Sequence, residues 1–233
     1  MISANQALRL RPGLTQIVFL LSAAGALSGR ANGAPDDPNQ LAKLARGEII
    51  VTRLPDDNPR ILGGQAQATI DAPIERIWEI LNDFNRYAEF LPRQVKSWIV
   101  SPEVLAEISQ ESGLSRRQAE YLLGPYRLDS VEGDTVYSYN VLDMPFPVSQ
   151  RWYLLETVRD VEQYSLTWHQ VTGNLRATTG SWQLEPLDDK TLATYTTRSD
   201  VGISVPGFLV NLGLNQTLPD VIKALRRRAE EPR

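Results

Sequence analysis

Cysteine is absent from this 233-residue chain, and histidine occurs once, at His169. The first absence excludes disulfides, thiolate metal sites and a cysteine nucleophile. The second excludes multi-histidine metal centres and makes any serine–histidine–acid arrangement depend on His169. No G-x-S-x-G nucleophile elbow occurs, and no glycine-rich cofactor loop. The acids fall mostly in turns or on solvated helix faces, as at Asp56, Asp57, Asp188, Asp189, Glu230 and Glu231. The residues therefore assign no catalytic set, no metal and no cofactor.

A long hydrophobic run is also missing. The longest, "LTQIVFLLSAAGALSG", is short of the roughly 20 residues that span a bilayer. Arg9 and Arg11 precede it, and the small-residue stretch "RANGAPDDPNQ" follows. A basic start, a short apolar centre and small residues are the pattern of a cleaved secretory signal over residues 1–33. The expected localisation is export, to the periplasm, with cleavage near residue 33. Residues 34–47 read as a linker.

Positive charge is scarce in the remainder. Residues 1–33 hold three arginines and no acid, leaving 21 basic against 28 acidic side chains and a net charge of about −7. Such a chain is poorly matched to a polyphosphate. This bears on "EISQESGLSRRQAEYLL" (107–123), whose Ser109, Gly113 and Ser115 imitate a helix-turn-helix. Its neighbourhood, 102–123, carries four glutamates against Arg116 and Arg117. A DNA-reading pair carries a basic footprint instead, so no nucleic-acid partner is expected. The segment reads as a helical hairpin, with Val104, Leu105 and Ile108 on one apolar face and Leu114, Ala119, Leu122 and Leu123 on the other.

What is present is a clear change of period. "GEIIVTRL" (47–54) and "ILGGQAQATIDA" (61–72) read as strands around a turn at 55–60. Ile74, Ile77, Trp78, Leu81 and Phe84 then mark one helix face, with Pro73 in its first turn and Asp71 placed to cap it. Trp78 is expected in the core. "QVKSWIVS" (94–101) is a strand covered on both faces. After the hairpin come alternating runs at 126–143, around a hairpin signal at Gly133-Asp134, then at 148–160, 162–173, 178–188 and 191–202. Residues 206–231 close the chain as an amphipathic helix bearing Phe208, Leu212, Leu218, Val221, Ile222 and Leu225, with a kink expected at Pro219. The order implies an α+β fold: a curved antiparallel sheet wrapped around a long C-terminal helix, with a helical-hairpin insertion at about 102–123.

Four segments carry a family resemblance. "ATIDAPIERIWEILNDFNRYAEFLPR" (68–93) resembles the opening of START-like helix-grip proteins, the SRPBCC superfamily of polyketide cyclases/dehydrases and lipid-transport proteins. The coenzyme Q-binding START-domain branch shares this signature. "MPFPVSQRWY" (144–153), "GSWQLEPLDDKTLATY" (180–195) and "TLPDVIKALRRRAE" (217–230) are similar to the family's proline–arginine turn-and-strand, its late strands and its closing helix. The resemblance spans residues 48–231 as one START-like domain. It implies a hydrophobic cavity under the C-terminal helix, but no particular ligand.

The candidate cavity residues are Tyr137, Tyr139, Arg151, Trp168, His169, Trp182, Tyr195 and Arg198. The aromatics supply apolar wall. Arg151, in a hydrophobic strand, needs an acid or a ligand's polar end. Three readings follow. One is a carrier of a lipid-like, quinone-like or aromatic molecule. Another is a polyketide cyclase/dehydratase-like enzyme using tyrosine, arginine or His169. The last is a protein-interaction module. The run Arg226–Arg228 ends a helix, where it complements the dipole and offers transient contact with anionic membrane lipid. The hairpin, which departs from the family pattern, is expected to gate the cavity, with surface decoration as the alternative.

Overall fold

A computed structural model describes residues 37–58, 60–108, 111, 113–144, 150–200 and 207–231, with side chains in the last stretch from residue 215. The secretory reading of residues 1–33 lies outside these. So does much of the "MPFPVSQRWY" turn, and so do the side chains of Phe208 and Leu212.

The chain enters through α1 (Pro38–Ala45) in the stretch read as a linker. Asp37 caps it by accepting from the Asn39 amide at 2.9 Å, and Pro38 begins it, needing no N–H there. Leu44 is buried, and its carbonyl accepts the Thr69 hydroxyl at 2.9 Å. The segment is thus part of the folded domain.

Next come β1 (Ile50–Leu54), β2 (Ile61–Ile70), α2 (Ile74–Asn82), α3 (Tyr87–Phe90) and β3 (Gln94–Val100). Helices α4 (Val104–Ile108) and α5 (Arg116–Leu123) form the hairpin. The strands β4 (Arg127–Leu128), β5 (Thr135–Leu142), β6 (Arg151–Asp160), β7 (Ser165–Gly173), β8 (Ala177–Leu187) and β9 (Lys190–Asp200) follow, and α6 (Gly207–Glu230) closes the chain. One curved, antiparallel nine-stranded sheet results, in the order β1-β2-β9-β8-β7-β6-β5-β3-β4.

Two local expectations are corrected. Gly133-Asp134 does not join a hairpin: β4 and β5 pair with opposite edges of β3. Asp71 does not cap α2 either. Pro73 holds the cap position with no side-chain bond, and the Asp71 amide donates to Glu230 at 3.2 Å.

Alternation assigns each strand residue to one of two faces, and opposite partners share a face. The inner face carries Ala66, Ala68 and Ile70 of β2, Ile99, Val136, Leu166, Trp182, Leu184 and Ala193. Against it lie Leu218, Ile222, Leu225 and Ala229 of α6, at helical spacing, with Ile77, Ile80 and Leu81 of α2. The fully buried alanines of β2 leave room for α6 to approach the sheet. Each leucine or isoleucine buried this way stabilises the fold by about 1.5–3 kcal/mol. Arg226 then ties α6 to the sheet, donating to the carbonyls of Thr69 (2.8 Å) and Gly47 (3.2 Å). Arg228 pairs with Glu89 at 3.5 Å. Two of the three terminal arginines thus clasp the domain itself. Trp78 is half-buried at the edge of this core, edge-on to Tyr164 at 5.6 Å.

The hairpin occupies the other face. Val104, Ile108, Ala119 and Leu123 pack on Val100, Tyr139, Val141, Trp152 and Leu154. A capping box between Ser115 and Gln118 starts α5. The Trp152 indole N–H donates to the Leu114 carbonyl at 3.1 Å. The Glu120 carboxylate takes Lys96 at 2.8 Å, Arg116 at 2.9 Å and the Tyr139 hydroxyl at 3.2 Å. The gating expectation is therefore corrected: the hairpin is fastened to the back of the sheet, away from α6.

Candidate functional site

The candidate site lies on the inner face of the sheet, across β6, β7, β8, β9 and β2, and is continuous with the core that packs on α6. Trp168 lies opposite Gly180, and Trp182 lies opposite Tyr195. The three aromatics form a continuous wall. Trp168 stacks on Tyr195 with ring centres 5.8 Å apart at 23°, and Trp182 meets Tyr195 at 4.6 Å. Gly180 makes this possible. A Cβ there would lie 2.3 Å from Cζ2 of Trp168 and 2.4 Å from the Thr196 carbonyl oxygen.

Next to this wall, Tyr153 and Leu175 form a small apolar cluster with Leu62, Leu142, Met144 and Leu155. Burial pushes the Tyr153 phenol up, and Tyr195 nearby adds to the shift. Burial likewise pushes Tyr195 up to about 12, against a hydrogen bond from Thr197 that pulls it down. Tyr87, whose hydroxyl donates to the Leu81 carbonyl, is raised chiefly by burial and then by Tyr195. All three phenols stay neutral at physiological pH.

Polar groups share the same surface. On β3 and β5, Asn140 accepts from Gln94 (2.8 Å) and Ser97 (3.2 Å) through Oδ1, and its Nδ2 donates to the carbonyl and hydroxyl oxygens of Ser138, each at 3.0 Å. Ser97, Ser138 and Asn140 are buried, and this network satisfies itself. Gln170, two residues beyond Trp168 and opposite Leu155, donates from Nε2 to the Leu175 carbonyl at 2.7 Å. Its Oε1 is buried with no hydrogen-bond partner.

Of the eight sequence candidates, Arg151, Trp168, Trp182 and Tyr195 lie on this inner face. Arg151 sits opposite Leu142 at the start of β6, with Nη1 3.4 Å from the Gln150 carbonyl. The other four point the opposite way. The Tyr139 hydroxyl binds Glu120 under the hairpin, and the Tyr137 hydroxyl donates to Glu156 at 2.8 Å. His169 is exposed on the back of β7 between Glu156 and Thr179. Arg198 pairs there with Asp56 at 3.2 Å. The sequence reading missed Tyr87, Tyr153 and Gln170. Alternation held a signal for two of them: Tyr153 stands two residues from Arg151, and Gln170 two from Trp168. Among the described residues, no cluster of acids and His169 could hold a metal ion.

Residues 70–226, more than half of the chain, match the family model described as polyketide cyclase / dehydrase and lipid transport. Solved structures share the fold at low sequence identity. A STAR-related lipid transfer protein fragment from Xanthomonas axonopodis is 17% identical with a TM-score of 0.57, over 78% of this chain and 94% of that one. A START superfamily protein from Mycobacterium smegmatis is 18% identical with a TM-score of 0.50, over 72% and 97%. A protein from Thermus thermophilus is 18% identical with a TM-score of 0.51, over 71% and 94%. No curated protein sequence matches this chain.

Proposed function

The chain belongs to the polyketide cyclase / dehydrase and lipid transport family, and from that premise we propose that it is a binding or carrier protein for a hydrophobic ligand held on the inner face of its sheet. The observation that carries this reading is the wall of Trp168, Tyr195 and Trp182 lying beside Tyr153 on the face that α6 covers. Aromatic surface with a few polar groups at its edge is what an apolar molecule with one polar end requires.

The titratable groups argue against general-base catalysis. Tyr87, Tyr153 and Tyr195 are held as neutral phenols by burial, so they donate hydrogen bonds but do not act as bases near neutral pH. His169 points away from them. The ligand classes that suit the wall are quinone-like, lipid-like and aromatic molecules. Export belongs to the same proposal: a carrier outside the cytosol accounts for the signal-like residues 1–33. Intact mass of the secreted chain tests it, with a start near residue 34 expected. A product beginning at Met1 contradicts it.

Ligand-stripped protein titrated with a short-chain benzoquinone and, separately, with a medium-chain fatty acid tests the binding. One or the other should quench tryptophan emission and raise the melting temperature in a saturable way. A folded protein whose emission and melting point respond to neither refutes the carrier reading for these classes.

A further inference from the structure

We propose that Gln170 is a hydrogen-bond anchor in this site, selecting apolar ligands that carry a hydroxyl or amide N–H donor. The inference deepens the hydrophobic-ligand reading and rests on it.

Three observations meet at Gln170. It lies on the inner face, in the alternation that also carries Leu166 and Trp168, and opposite Leu155 of the apolar cluster. One arm of its amide is fixed, with Nε2 donating to the Leu175 carbonyl at 2.7 Å. A carbonyl only accepts, so the NH2 group must face it and the amide cannot turn over. The other arm, Oε1, is therefore held away from Leu175, buried and without a partner.

A buried acceptor left unmade lowers stability, and a ligand donor that reaches it removes that penalty on binding. A ligand with only acceptors or apolar groups leaves the penalty in place. Sites built to hydrogen-bond a hydroxyl discriminate against analogues that lack it far more than apolar walls discriminate by size. The neighbouring polar groups do not duplicate this role: Asn140 is saturated by Gln94, Ser97 and Ser138, and the phenol oxygens of Tyr195 and Tyr153 are weaker acceptors than an amide carbonyl. Gln170 thus adds an oriented acceptor beside an aromatic wall.

The test uses two probes that share one ring system, 2-naphthol and 2-methoxynaphthalene, the second with its donor capped by methyl. Affinities are measured by fluorescence titration for the wild type, Gln170→Met and Gln170→Glu. Gln170→Met removes the acceptor at similar volume, and its affinity ratio corrects for the size of the methyl group. The wild type should favour 2-naphthol by about tenfold more than Gln170→Met does. Gln170→Glu, which when protonated donates its O–H to the Leu175 carbonyl and keeps its other oxygen as the acceptor, should retain that preference at a pH low enough to keep the carboxyl neutral. If Gln170→Met does not fold, the ratio in the wild type and in Gln170→Glu still decides, and a ratio near one in both overturns the anchor. Equal ratios in the wild type and Gln170→Met also overturn it while leaving the carrier reading standing. Failure of both probes to bind folded wild type overturns the carrier reading on which the anchor depends.

Discussion

At Gly180 a single missing side chain sets the geometry of the aromatic wall. Gly180→Ala places a methyl 2.3 Å from the Trp168 ring and 2.4 Å from a backbone oxygen that cannot turn aside. Trp168 must then leave Tyr195. Overpacking of this kind costs about 1–3 kcal/mol, measurable by urea unfolding, and displaced indole shifts its emission to the red. Unchanged unfolding and emission would show that the ring has slack. Glu120 gives a second residue-scale expectation. Burial alone would raise its carboxyl, but the hydrogen bond and charge of Lys96, the charge of Arg116 and the hydrogen bond from Tyr139 bring it below its ordinary value of 4.5. A carboxyl depressed on folding adds stability above its unfolded value and loses it as pH falls through the folded one. The wild type should therefore be more stable than Glu120→Gln at neutral pH, by an amount that shrinks below about pH 4.5. A difference independent of pH would contradict the ionic origin. These residues also mark the limit of sequence reading. Alternation along β5 put Tyr137 and Tyr139 on one face, but only register against β6 reveals that this is the face away from Trp168.

At the scale of elements, the helical and strand segments were legible because their apolar periods differ, and the turn residues between them mark most boundaries. The edge strand β4 was expected in the run before Gly133, but its pairing with β3 was not legible, because two residues are too short to show alternation. Nor was the side of the sheet chosen by the hairpin. Its own apolar faces fit either surface, and the deciding feature is that Val100, Tyr139, Val141, Trp152 and Leu154 make the back of β3, β5 and β6 apolar too. Strands with both faces apolar need two coverings. Replacing residues 102–123 with a short Gly/Ser linker should therefore uncover Trp152 and its neighbours and lower the melting temperature by about ten degrees or more, since several kcal/mol of burial are lost. A deletion that melts like the wild type would mean the hairpin contributes little to this face. Trp78 belongs to the same scale. Half-buried against Tyr164 at the rim, Trp78→Ala should cost about 1–3 kcal/mol by denaturant unfolding, less than the roughly 3–5 kcal/mol of a fully buried indole.

Across the whole molecule, the sheet is a partition. Its back is sealed by the hairpin over β3, β5 and β6, and its front carries the α6 core, continuous with the aromatic wall of Trp168, Trp182 and Tyr195 beside Tyr153. The helix-grip architecture was readable from the order of elements and from four resembling segments, and the family match over residues 70–226 agrees with it. Of the eight residues proposed from sequence, four lie on the face of the candidate site. The division predicts where a ligand sits: on the α6 side, against the wall that Gly180 admits. Native mass spectrometry of the protein purified from its own host tests this most directly, run beside a Trp168→Asp variant that places a charge in the wall. A hydrophobic adduct on the wild type, released by organic solvent and missing from the folded variant, is the result expected. A folded wild type that flies only at its bare mass, or an adduct that the variant keeps undiminished, would contradict a ligand site on this face.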